Sequence, residues 1–366
     1  MKKRLLFVDD DSNVLEELRH MLQSQQDEWD MHFTGSGAEA LQVLETMPID
    51  IVIADISMPD MNGIQLLEQV MGNYPHIIRM ILSDYTEADL TMQSVAVAHQ
   101  FLSKPCNPEI LKSIISQAVE SKTFLHNENL KSLISRLGAL PSVPALYLEV
   151  SQELNSPEAS IKKVGKIISK DPSMAAKVLQ LANSAYYGRQ HSISNIAMAV
   201  SYLGLNCVGN LLLTIHAFEE FMPAVRGLIS VEEVWTHSNH TATQAKKIAA
   251  MLHASEQIKD DAFTAGLLHD IGKLILASRF PKEYTAVIKG ATESSKPLWA
   301  EEREIFSATH AEVGAYLLSI WGLPNLVIDA VAYHHNPTAI TEEGFSALTA
   351  VHAANALENL AASHTQ

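Results

Sequence analysis

The chain has 366 residues, a size that accommodates two or three domains with their own cores, and a formal net charge of −16 with a pI near 5.4. That acidic balance disfavours nucleic acid and anionic membranes, which are met by Lys/Arg clusters, and leaves small ligands and other proteins as partners. Cys106 and Cys207 are too few for a disulfide scaffold, the apolar run after MKKR is too short for a signal peptide, and no stretch approaches the roughly 18 apolar residues of a membrane helix, so a cytoplasmic address is expected.

Residues 1–120 carry 7 Lys+Arg against 19 Asp+Glu, which is −12 of the total −16 and predicts a domain boundary near residue 120. Within them LLFV (5–8), IVIA (51–54) and IIRMIL (77–82) are short apolar runs. Stretches of helical periodicity such as Val14, Leu15, Leu18, Met21 and Leu22 separate them. The alternation predicts a parallel sheet covered by helices on both faces, with chemistry at the carboxyl ends of its strands. Asp9 and Asp10 close the first run and Asp55 closes IVIA. Carboxylates gathered there repel one another unless a cation neutralises them, and hard oxygen ligands suit Mg²⁺. A carboxylate beside Mg²⁺ can attack a phosphoryl group, with a lysine stabilising the transferred oxygens. Lys104 in FLSKPC is that lysine, and Ser83 supplies a hydroxyl donor.

Taken together, VDDD, DISMPDMNG, Ser83 and FLSKP resemble the receiver domain of two-component response regulators over residues 1–120. The resemblance implies an α/β doubly wound, five-stranded parallel sheet of order 2-1-3-4-5. It also implies Asp55 as phosphoacceptor, Asp9 and Asp10 as metal-binding acids, the Ser57 carbonyl as a further Mg²⁺ ligand, and Lys104 as the phosphoryl-binding lysine. Ser83 and Phe101 match the switch hydroxyl and switch aromatic, and Lys104-Pro105 is expected to be cis. Asp84 departs from the pattern, since a small residue usually follows the switch serine. A sensor histidine kinase is the implied phosphodonor.

From residue 107 apolar positions recur at helical spacing through Ile110, Leu111, Ile114, Ile115 and Ala118, and then through Leu125, Leu130, Leu133 and Leu137. A helical linker over 121–137 is expected, stopped by Gly138, Pro141 and Pro144. A coiled coil giving a homodimer is the alternative. Strand signals fade beyond residue 145: Ser160 and Asp171-Pro172 read as helix starts. Lysines 162, 163, 166, 170 and 177 read as a solvated face, with a docking surface for the acidic receiver as the alternative.

The blocks LGALPSVPALYLEV, IISKDPSMAAKVLQLANSAYYG, AMAVSYLGL, GLLHDIGKLIL and WGLPNLVIDAVAYHH, in that order, resemble the HDOD family of HD-related output domains. The resemblance implies an all-α, HD-like domain over 138–366, with subdomains 138–225 and 226–366, and carries no fixed enzymatic activity. Output through protein interaction is the implied role, with a cyclic-dinucleotide enzyme among the candidate downstream signalling partners.

Eight of the 16 histidines lie between 237 and 352. HD-superfamily phosphohydrolases hold metal through a histidine, a His-Asp doublet and a distal aspartate. His237 and the His269-Asp270 pair match the first three, with Glu233 one helical turn before His237 as a further ligand or its partner. His310 and His334-His335 match the extra ligands of cyclic-dinucleotide phosphodiesterases, and Lys273 is placed to steady a phosphate. The resemblance thus raises a second function, a receiver-regulated phosphodiesterase using a transition metal. Opposing it, His352 falls where the distal aspartate belongs, Asn355 follows, and HHNPTAITEEG lacks the Gly-Tyr-Pro signature. The alternative is a satisfied polar knot around His269 and Asp270 in an apolar core.

Overall fold

In the computed structural model, the residues described are 2–83, 94, 97–120, 124, 127, 130–131, 134–135, 144–154, 156, 159–184, 192–216, 229–340 and 344–363. Asp84, Gly138 and Pro141 lie outside them, as do most of the expected linker positions.

Strands β1 (Lys3–Val8), β2 (Trp29–Thr34), β3 (Ile51–Asp55), β4 (Ile78–Ser83) and β5 (Gln100–Ser103) form one parallel sheet in the order β2-β1-β3-β4-β5. The apolar runs become β1, β3 and β4 because each has a strand on either side and helices over both faces. Helices α1 (Ser12–Met21), α2 (Gly37–Thr46), α3 (Gly63–Asn73) and α4 (Pro108–Glu120) provide that cover. Asp11 caps α1 through Asn13 N–H, and Asn62 with Gln65 closes a reciprocal cap on α3.

Beyond α4 the described elements are helices: α5 (Pro144–Leu154), α6 (Ile161–Ile168), α7 (Pro172–Asn183), α8 (Ile196–Leu203), α9 (Leu205–His216), α10 (Val231–Met251), α11 (Glu256–Leu268), α12 (Ile271–Arg279), α13 (Pro281–Ser294), α14 (Leu298–Phe306), α15 (His310–Ile320), α16 (Asn325–Tyr333) and α17 (Ala347–Ser363). Asp171 caps α7, its carboxylate accepting from Ser173 and Met174 N–H, with Pro172 at the first turn.

Lys177 corrects the expectation of a solvated lysine face. It is 1 % exposed, because α7 packs against β5 and turns that side chain inward, where its ammonium lies 4.1 Å from the centroid of the Trp321 ring. A single set of packed apolar side chains runs from the sheet into the helices. Across the joint Gln117 donates to Leu323 O at 2.7 Å, Gln180 donates to His99 O at 2.8 Å, and Ser135 Oγ lies 3.1 Å from Tyr316 Oη. Gly322 is required at its position: its φ is +75°, and a Cβ there would sit 3.2 Å from the Gln100 carboxamide.

Candidate functional site

Parallel pairing in register carries Asp9, Asp55, Ser83 and Lys104 to the same end of the sheet, the carboxyl end, where ligands of such folds bind. Asp9, Asp10 and Asp55 each offer an oxygen within 4.8 Å of the others. Lys104 Nζ lies 2.7 Å from Asp9 Oδ2 and also contacts Asp55 Oδ1. Asp11 N–H donates to Asp9 Oδ1 at 3.0 Å, and Ser57 N–H donates to Asp55 Oδ2 at 2.9 Å. These groups, with Asp10, Pro105 and Cys106, border a cavity of about 350 Å³. Ser83 and Phe101 are buried beneath, Lys104 N–H donates to Ser83 O at 2.9 Å, and Lys104-Pro105 is cis.

Burial raises the pKa of Asp55 above the usual carboxylate value, against the pull of Lys104. Burial pulls Lys104 the other way, but its bonds to Asp55 and Asp9 outweigh it and hold the ammonium charged. One ammonium for three acids leaves net negative charge around an oxygen-lined cavity. That donor set fits a hard divalent cation, and receiver domains generally use Mg²⁺.

The helical half builds a second cluster. His269 ends the helical run of α11 and Asp270 opens α12; Gly272 lets α12 abut the start of α15, since a Cβ there would overlap the carbonyl of His310. Asp270, buried, then faces three histidines. Its Oδ2 lies 3.4 Å from His269 Nε2 and 3.7 Å from His237 Nε2, and its Oδ1 lies 3.3 Å from His310 Nε2. Lys273 Nζ sits 2.6 Å from Oδ2. His310 Nε2 is 3.0 Å from His335 Nε2, and the His334 ring centroid is 5.0 Å from that of His269.

The imidazoles share a pattern. Nδ1 is tied to Gly266 O in His269 at 2.8 Å, to Val331 O in His334 at 2.8 Å and to Glu302 Oε2 in His310 at 2.6 Å. In His269 and His334, with Nδ1 as the donor, Nε2 carries a lone pair, and both Nε2 atoms are buried without a hydrogen-bond partner among the described residues. Burial, against the pull of Asp270 and with the other histidines adding to it, lowers the pKa of His269 to about 4, of His335 to about 2 and of His334 well below the usual value, which favours neutral rings. Burial also opposes a charge on His310, yet Glu302 and Asp270 outweigh it and raise its pKa. Two neighbouring ligand groups result, His237/His269/Asp270 and His310/His334/His335, with Asp270 Oδ1 3.3 Å from His310 Nε2 between them. This donor set fits a borderline divalent transition metal.

Two residues of the sequence reading stand apart. Glu233 is exposed, and His237 Nε2 is 3.0 Å from Asn355 Oδ1 instead. His352 turns Nδ1 to His334 O at 2.7 Å and belongs to neither ligand group. Sequence reading missed Glu302, which is fully buried and accepts from His310 N–H at 2.7 Å and from Tyr284 Oη at 3.0 Å. In WAEEREIF it has no signal that sets it apart from surface acids.

A doubly wound sheet with an acidic pocket is thus joined to helices around a His-Asp cluster. The chain belongs to the HDOD family, whose domain model matches residues 140–337, and residues 5–116 match the response regulator receiver domain. An uncharacterized protein of Treponema pallidum (strain Nichols) is 27% identical over 216 residues, which is 58% of this chain and 40% of that protein. The hydrogenase transcriptional regulatory protein HoxA of Cupriavidus necator is 28% identical over 158 residues, 43% of this chain and 31% of that protein. The chain therefore spans less than half the length of these two curated relatives. The crystal structure of the MmoQ response regulator from Methylococcus capsulatus str. Bath is similar in fold, with a TM-score of 0.50 and 24% identity, covering 62% of this chain and 88% of that one. A receiver paired with an HDOD domain supports a response regulator of a two-component system, and a receiver implies a phosphodonor such as a histidine kinase. Among the described residues no helix is long and apolar enough to cross a membrane.

Proposed function

We propose that this response regulator is phosphorylated on Asp55 by a cognate sensor histidine kinase and acts through protein interaction by its HDOD region, on a downstream signalling protein such as a cyclic-dinucleotide enzyme. In this reading the receiver occupies 1–120, the linker 121–137 and the output domain 138–366. The observation that carries it is Lys104, whose ammonium bridges Asp9 and Asp55 at the mouth of the acidic cavity. An Asp55 oxygen attacks phosphorus, the bond to the donor's leaving atom breaks, and the acyl phosphate forms. Lys104 turns from the carboxylates to a transferred oxygen, and Ser83 donates its hydroxyl to another. Asp9, Asp10, Asp55 and the Ser57 carbonyl would hold Mg²⁺, which supplies charge neutralisation as the phosphoryl group transfers. Incubation with Mg²⁺ and labelled acetyl phosphate tests this. Wild type gains label and Asp55→Asn does not; equal labelling of both refutes the assignment.

A second reading rests on the converging Nε2 atoms: the output domain binds a transition metal through His237, His269, Asp270, His310, His334 and His335, with phosphodiesterase activity toward a cyclic dinucleotide as the alternative function. His352 and Asn355, where an acid is expected, weaken the charge balance of such a site. Elemental analysis of protein purified without chelator decides binding, and assays on cyclic dinucleotides with Mn²⁺ or Fe²⁺ decide turnover.

A further inference from the structure

Arg79 lies on β4, is 1 % exposed, and directs its guanidinium at main-chain carbonyls: Val97 O at 2.7 Å, Ile77 O at 3.2 Å and Ser135 O. His99, equally buried, accepts Arg79 N–H on Nδ1 at 3.1 Å, and its Nε2 lies 2.9 Å from Ser135 O and 2.9 Å from Arg79 Nη2, so both side chains converge on that carbonyl. The carbonyl of His99 accepts from Gln180 Nε2, and Gln180 Oε1 is held at 2.8 Å by Lys177 Nζ. Ser135 passes the contact on through its hydroxyl to Tyr316 on α15, the helix that begins at His310. Receiver, linker and output domain thus meet in one buried polar knot.

Its place on the sheet links it to the acidic pocket. Side chains alternate along a strand, so Arg79, Ile81 and Ser83 share one face of β4, and Phe101 and Ser103 on β5 line up likewise with His99 just before it, whose N–H donates to Arg79 O at 2.8 Å. The two strands pair with Ile81 opposite Phe101 and Ser83 opposite Ser103. Ser83 is four residues from Arg79 and Phe101 two from His99, at about 3.3 Å per residue. A movement of Ser83 or Phe101 cannot leave the knot untouched, because close-packed strands transmit displacement.

A polar joint of this kind favours reversible opening. Buried hydrogen bonds add little net stability when water replaces them, yet losing one partner inside is costly, so the contact is specific without being permanent. Gln100 Nε2, buried at the same joint without a hydrogen-bond partner among the described residues, biases it further toward release.

We propose that Arg79, His99, Ser135 and Gln180 form a lock that holds the HDOD helices on the receiver while Asp55 is unmodified and opens when Asp55 carries a phosphoryl group. The lock rests on the phosphorylation reading above. Linkage is reciprocal: if the phosphoryl group opens the lock, a broken lock favours the phosphorylated state by the same factor.

The test is hydrogen exchange of the full chain over residues 77–81, 97–101 and 172–183, before and after acetyl phosphate with Mg²⁺, with the extent of labelling measured in parallel. In wild type, phosphorylation speeds exchange in all three segments. Gln180→Ala exchanges fast without phosphodonor and, at equal donor, has a phosphorylated-to-free ratio about fivefold higher, the factor that about 1 kcal/mol for the one hydrogen bond lost across the joint corresponds to. Gln180→Glu, which keeps the acceptor for Lys177 but loses the donor to His99 O, reproduces the effect and separates it from a packing defect. The lock is overturned if wild type is labelled on Asp55 with exchange unchanged, or if both variants keep wild-type protection and labelling. A wild type that takes no label overturns the Asp55 reading itself, and the lock with it.

Discussion

Replacing Lys177 by Met should stabilise the protein. Its ammonium is buried within α7, and burial brings its pKa down from 10.5 to about 7. At about 1.4 kcal/mol for each pH unit, that fall puts roughly 4 kcal/mol against folding at pH 7. The bond to Gln180 and the contact with the Trp321 ring return about 1 kcal/mol each. Methionine fills the same unbranched space without charge, leaving a gain of about 2 kcal/mol and a Tm rise of about 4 °C. The sign with pH follows from proton counting. Between about 7 and 10.5 the unfolded lysine holds a proton that the folded one has released, so wild-type stability climbs with pH across that window. The variant lacks this dependence, and the gap closes toward pH 10. Scanning calorimetry of both proteins at pH 7 and pH 9.5 measures it. A lower Tm for Lys177→Met at pH 7, or an identical difference at both pH values, refutes the reasoning.

Three other changes probe the two sites and the joint. Lys104→Met removes the cation shared by Asp9 and Asp55 and should cut the rate of labelling from acetyl phosphate by about tenfold or more, with far-UV circular dichroism unchanged. Glu302→Gln loosens the orientation of His310 and should lower metal affinity about 10–100-fold in a competition titration; wild-type affinity would remove Glu302 from the account. Gly322→Ala forces a side chain into φ +75° beside Gln100 and should cost about 1–2 kcal/mol in urea unfolding, whereas Gly72→Ala, with open space around it, should cost little or nothing.

What could be read in advance followed burial. LLFV, IVIA and IIRMIL announce β1, β3 and β4 because internal strands of a parallel sheet are apolar on both faces. WDMHFT does not announce β2, since an edge strand with four half-buried positions carries no such run. Asp9, Asp55 and Lys104 were legible because they end or directly follow strands. Glu302 was not, and Asn355 was legible only as a missing acid and not as the partner of His237, because His310 and His237 reach them through helix packing and Asn355 lies 118 residues from His237. Lys177 reads as a surface cation for the same reason: nothing local foretells that a lysine on an amphipathic helix will be closed in by a distant tryptophan.

The fit of Gly322 to Gln100, and of Gln180 to His99, makes the two domains a matched pair. A receiver borrowed from another regulator would arrive with its own side chains at positions 79, 99 and 100, and would meet a helical surface cut for Arg, His and Gln. Such a chimera would still present an acidic pocket to a kinase, but its message would have no socket to plug into. A transplanted receiver would keep this fit only if strand β5 and helix α7 travelled together.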